Sequence, residues 1–139
     1  MINQLIIKIE SNPKQLFLLD GSGAILSAFL LGVVLVQFET IFGIPASTLY
    51  FLAAIPVFFA LYDIISYRKD LAKTANLLKG IAVMNLHYCC LSIGLAAYHQ
   101  DTITLFGWAY IISEVLIVIT LSIIEIKVAK RLQANNYSD

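Results

Sequence analysis

Charge is scarce in this chain, and positive charge is missing from most of its length. Charged residues make up 13% of the 139 residues, about half the share near 25% that soluble domains carry. No Lys or Arg lies between Lys14 and Arg68, nor between Lys79 and Lys127. Cysteine is limited to the adjacent pair Cys89 and Cys90, whose side chains would leave a helix about 100° apart, which excludes a disulfide framework. The pair also lacks the CxxC spacing of thiol oxidoreductases, so both residues are expected to pack. Histidine is limited to His87 and His99. On one helix they would point about 120° apart at different depths, an arrangement that cannot clamp a haem iron. His99 with Asp101 has no third ligand, so no metal site and no cofactor is implied. The GSG at 21–23 has no preceding strand and no GKS/T continuation, which removes a phosphate loop. Nucleic acid is not an expected partner, because no recognition motif is present and the few basic residues flank apolar runs.

What the chain does have is apolar length. Hydrophobic residues reach 60% and the mean hydropathy is +0.85, which excludes an ordinary soluble domain. About 20 apolar residues suffice to cross a hydrocarbon core of roughly 30 Å. Four stretches satisfy that need, at 16–38, 48–65, 80–98 and 103–124, so the expected fold is all-α. It is an integral membrane four-helix bundle made of two antiparallel transmembrane hairpins, a single domain with the lipid bilayer as its surroundings. The polar break at 66–79 divides the hairpins. Residues 1–12 place Ile2, Leu5, Ile6 and Ile9 on one helical face, the pattern of a segment lying in the membrane interface. Lys8 and Pro13 interrupt before the first long run, so that run is expected to stay as a span rather than serve as a cleaved leader. Pro56 is expected to bend the second span. Residues 126–139 read as a tail.

Four crossings put both termini and the central break on one side. Those regions hold Lys8 and Lys14, then Arg68, Lys69, Lys73 and Lys79, then Lys127, Lys130 and Arg131, which is all nine basic residues. The two short connectors hold none. The positive-inside rule therefore predicts cytoplasmic termini, in a multi-pass protein of a bacterial inner membrane. Tyr50, Tyr98 and Trp108 fall at the expected outer boundary, and Tyr62 and Tyr67 at the inner one.

One constellation stands out for chemistry. Glu114 lies midway between Asp101 and Lys127, about 20 Å from each at helical rise, which is midplane depth. An acid there costs about 2.5 to 3.5 kcal/mol on insertion scales and is a functional candidate by default. Depth alone makes His87 its expected partner across the second connector, about 12 Å above Lys79. Tyr110, one turn from Glu114, and Asn85 complete the expected polar site, with Tyr88, Ser92 and Ser113 nearby. A titrating proton or ligand site is one reading; an interhelical hydrogen bond fixing register, worth about 0.6 to 2 kcal/mol, is the plainer one. Asp20, Asp63 and Glu125 are expected to form interface salt bridges with nearby Lys and Arg, or more sharply to line an acidic vestibule leading to Glu114. Gly23, Ala24, Ser27, Ala28 and Gly32 form a small-residue stripe, expected to pack against another helix.

Three function classes remain open on the sequence. The leading one is a non-catalytic helix-bundle component, as a homo-oligomer or with a membrane protein partner. The second is an oligomeric proton- or ion-coupled transporter or channel using Glu114 and His87. The third is a membrane-embedded enzyme acting on a lipid or quinone.

Overall fold

Short polar breaks cut the apolar chain into helices. The structure, a computed structural model, describes residues 1–138. Helix α1 spans Ile2–Glu10 and α2 spans Gln15–Phe29, continuing through a π-helical stretch at Leu30–Leu35. After the short α3, Glu39–Phe42, come α4, Ala46–Tyr67, α5, Leu71–Tyr98, and α6, Leu105–Asn136. No strand occurs among the described residues. Four helices are long and apolar enough to cross a membrane, α2 with its π-helical stretch, α4, α5 and α6. The shortest has 21 residues, or about 31 Å at helical rise, enough for the hydrocarbon core.

Local chemistry sets the boundaries. The first long helix begins at Gln15, after a turn through Asn12 and Pro13. Pro45 holds an extended ψ of 140° and starts α4, as a fixed proline φ permits. Asp70, with ψ 150°, starts α5. The polar break therefore narrows to a turn at 68–70, and α5 begins about nine residues before the apolar run that the hydropathy marks out. At α6 the Thr104 hydroxyl accepts from the Gly107 N–H at 3.3 Å, satisfying one orphan donor of the first turn.

The long helices pair as two hairpins, α2 with α4 and α5 with α6. Their connectors are tied together at one end. The Thr104 N–H donates to the Phe42 carbonyl at 3.1 Å, and Thr48 Oγ1 bonds His99 Nε2 at 2.9 Å. Gly43 makes this junction possible, because it has φ +70° and a Cβ there would lie 2.0 Å from the Thr102 carbonyl oxygen. At the end carrying both termini, the Tyr62 hydroxyl donates to the Leu77 carbonyl at 3.0 Å. There α1 folds back on α6, with Ile6 buried beside Val128 and Ala129 and Glu10 paired to Arg131 at 3.4 Å. The first segment is thus a packed helix with Ile6 in the core.

Two apolar clusters fill the interior. One contains Leu31, Leu35, Leu49, Leu52, Ile111 and Val115; the other contains Ile6, Leu16, Phe17, Leu78, Ile81 and Val128. On α2, α5 and α6 the buried polar residues Asp20, Asn85, Ser122 and Glu125 fall between these clusters along the chain, whereas Glu114 and Ser92 lie within the first and Thr74 at the edge of the second. The outer surface is the reverse: Ile25, Phe58, Leu61, Ile112 and Leu116 are exposed. An apolar exterior around a polar layer suits hydrocarbon surroundings, where lipid meets the outside and polar groups face inward.

Candidate functional site in the bundle interior

Helical periodicity builds the site. On α2, Asp20, Ala24 and Ser27 follow one another at the spacing that keeps side chains on one face. Asn85, Tyr88 and Ser92 do the same on α5. Glu114 and Glu125 point inward from α6, and Asp63 from the last turns of α4. All four acids are buried, with Asp63 1% and Glu125 0% exposed.

Glu114 is held by two hydroxyls. Ser27 donates to its Oε1, and the Tyr88 hydroxyl lies 3.3 Å from Oε1 and 3.4 Å from Oε2. The Tyr88 ring is braced edge-on against Phe59 at 6.0 Å. Asn85 Nδ2 donates to Asp20 Oδ1 at 2.9 Å. The other Asp20 oxygen, both oxygens of Asp63 and both of Glu125 have no hydrogen-bond donor facing them. Asp63 packs against Gly21, the residue after Asp20: a Cβ at Gly21 would lie 3.3 Å from the Asp63 Cβ and 3.6 Å from its Oδ2.

The basic residues do not come in. The one ion pair among the described residues is Arg131 with Glu10, so the interface salt bridges expected of Asp20, Asp63 and Glu125 are absent. Phase explains this. The nearest basic residues along the chain, Lys14, Arg68 and Lys127, lie about 120° to 160° round the helix from the acids they were matched with.

His87 is likewise not the partner of Glu114. It is exposed, and its Nδ1 bonds the Val83 carbonyl of its own helix at 2.8 Å. Depth matched the two residues but azimuth separates them, because the α5 face turned inward carries Asn85, Tyr88 and Ser92. Asn85 binds Asp20 rather than Glu114. Tyr110 stands beside Glu114 on the wall of a cleft, with its ring edge against Phe42 at 6.4 Å. Ser113 is exposed and donates to the Ala109 carbonyl at 2.7 Å.

The small-residue stripe divides between two roles. A Cβ at Gly32 would lie 3.2 Å from the Ala53 Cβ on α4, which is helix packing, and Ala28 is half-buried. Gly23 instead meets nothing within 4 Å of its Cβ position. With Ala24 and Ser27 it lines a cleft of about 230 Å³ between α2 and α6, where the two hairpins touch only sparsely. Asp20 and Glu114 both line that cleft, as do Phe59, Tyr88 and Tyr110.

Among the described residues, no three His, Cys, Asp or Glu side chains converge to hold a metal ion. Cys89 is buried near the Val115 carbonyl and Cys90 is exposed. Comparison with protein-family models, curated proteins and solved structures gave no match for this chain.

Proposed function

We propose that this small multi-pass membrane protein is a transport unit that binds and passes protons through its buried acids. Its termini lie on the cytoplasmic side, as the placement of all nine Lys and Arg residues supports. One observation carries the reading: Asp20, Asp63 and Glu125 are buried between the hairpins with oxygens that meet no donor and no cation. Buried carboxyls without partners oppose folding by several kcal/mol at the order-of-magnitude level. Apolar side chains would make a better structural core, so a purely architectural role leaves these acids without a purpose.

The acids also form a series. Asp63, Asp20 and Glu125 occupy the half of the bundle nearer the termini, and Glu114 lies about 16 Å from Glu125 along α6. Asp20 stands between the two groups, because the adjoining Gly21 packs against Asp63 and Asp20 itself lines the cleft with Glu114. Chains of carboxyl groups inside membranes are the usual material of proton relays. The enzyme reading has less behind it: Ser27 on Glu114 sets a hydroxyl beside a carboxyl, but no Lys, Arg or His lines the cleft to stabilise charge that would develop on a substrate.

The test is proton flux in liposomes containing the purified protein, driven by an imposed pH gradient. Flux above that of empty liposomes, reduced at least tenfold by Glu114→Gln and by Asp63→Asn, is the expected result. No flux above background, or flux indifferent to both changes, overturns the proposal.

A further inference from the structure

The cleft between α2 and α6 has a chemistry of its own. Its acidic groups are Asp20 and Glu114, its other polar side chains are Ser27, Asn85, Ser113 and the hydroxyls of Tyr88 and Tyr110, and no Lys, Arg or His lines it. Asp20 is 5% exposed, and its Oδ2 has no partner. The walls are aromatic, with Phe59, Tyr88 and Tyr110. Two of its lining side chains, Leu26 and Ile117, are exposed on the outer apolar surface.

We infer that this cleft binds a lipophilic organic cation, a small molecule with one amine or quaternary ammonium centre on an apolar, ring-sized body. The inference rests on the proton-transport reading and names the substrate class of the same site. Each part of the molecule has a counterpart. The positive centre sits between Asp20 and Glu114, where it supplies the charge those acids lack. The faces of the three aromatic rings attract a cation through their quadrupoles. The apolar body fills the small-residue side of the cleft at Gly23 and Ala24, and enters from the lipid side without crossing water. A volume of about 230 Å³ exceeds the roughly 150 Å³ that accommodates benzene, so a benzyl-sized body fits.

The alternatives fail on charge. An anion would face two carboxyls with only hydroxyl and amide donors to offset them. Among the described residues, a metal ion finds no third His, Cys, Asp or Glu ligand. The groups facing Asp20 and Glu114 are Ser27 on α2, Asp63 on α4, Asn85 and Tyr88 on α5, and Tyr110 on α6, and none of them is cationic.

The test is calorimetric titration of the protein in lipid nanodiscs with benzyltrimethylammonium and with neopentylbenzene, which replaces the charged nitrogen by carbon at nearly the same shape. The expected result is that the cation binds at least tenfold more tightly than the neutral molecule. Asp20→Asn and Glu114→Gln should each weaken it tenfold or more. Gly23→Trp, at a position with nothing within 4 Å of its Cβ, should fill the cleft and abolish binding in a protein whose helicity and monodispersity are unchanged. Equal binding of both molecules, or no binding of the cation by folded wild-type protein, overturns the inference. So does a cation affinity that survives all three substitutions. Failure here is separable from failure of the transport reading: acid-dependent proton flux without cation binding removes only this inference, and cation binding without flux removes only the other.

Discussion

The side-chain amide of Asn85 donates to Asp20 Oδ1 at 2.9 Å, and this bond crosses from one helical hairpin to the other. It is the polar link between α5 and α2 in a region where the hairpins otherwise share few contacts. It leaves the other Asp20 oxygen without a partner.

Replacing Asn85 by Leu removes the donor and leaves both Asp20 oxygens buried without one. A loss of about 1 to 3 kcal/mol in unfolding free energy is expected. Pairing the change with Asp20→Leu should recover most of it, because the orphaned acid then goes too. Reversible unfolding in mixed micelles, followed by helicity, measures both variants. Additive losses in the double variant would show that the two residues do not act as a pair.

Tyr88→Phe keeps the ring against Phe59 and deletes the hydroxyl facing Glu114. It is expected to lower stability by about 0.5 to 1.5 kcal/mol and to change proton flux. His87→Ala should change stability by no more than about 0.5 kcal/mol, the range of an ordinary surface substitution, and leave flux intact. A reversed order of effects would restore His87 as the partner of Glu114.

Asp63 and Glu125 test whether the buried acids cost stability. Asp63→Leu with Glu125→Leu removes four unpartnered carboxyl oxygens. A gain of about 1 to 4 kcal/mol is expected, the range seen when buried ionic groups give way to apolar ones of similar volume. Proton flux should disappear in the same protein. A destabilised double variant would mean that the acids hold the bundle together by contacts other than hydrogen bonds to donors.

Gly43→Ala should loosen the junction of the two connectors. Its φ of +70° and the Thr102 carbonyl 2.0 Å from the Cβ position leave no room for a side chain. A loss above about 1 kcal/mol is expected from the strained backbone alone. Hydrogen exchange at the start of α6 should rise with it, because Thr104 loses its anchor on Phe42.

The hairpins were legible in the sequence because they depend on apolar run length, which the bilayer dictates. Glu114 was legible for the same reason, as its depth follows from helical rise. Its partners were not. Depth ranks residues along a helix, whereas contact also needs the rotation of each helix about its axis, which packing sets. That is why His87 looked suitable and Tyr88, one residue further, is the group that faces Glu114. The acidic series was misread for a related reason. Asp20, Asp63 and Glu125 lie near basic residues in the chain, but counting 100° per residue turns each acid away from its neighbouring cation. That signal was present in the spacing. The cleft was not, because it depends on how sparsely α2 meets α6, and no local pattern records a gap between two hairpins.

Whether the buried acids exchange protons with the surroundings is the point on which the account turns. Infrared difference spectroscopy of the carboxyl stretch, between about pH 5 and pH 9 in lipid, reads this directly. Glu114→Gln and Asp20→Asn serve to assign the bands. At least one band is expected to change with external pH and to vanish in one of those variants. No such band across the whole range, in a folded protein, would contradict it.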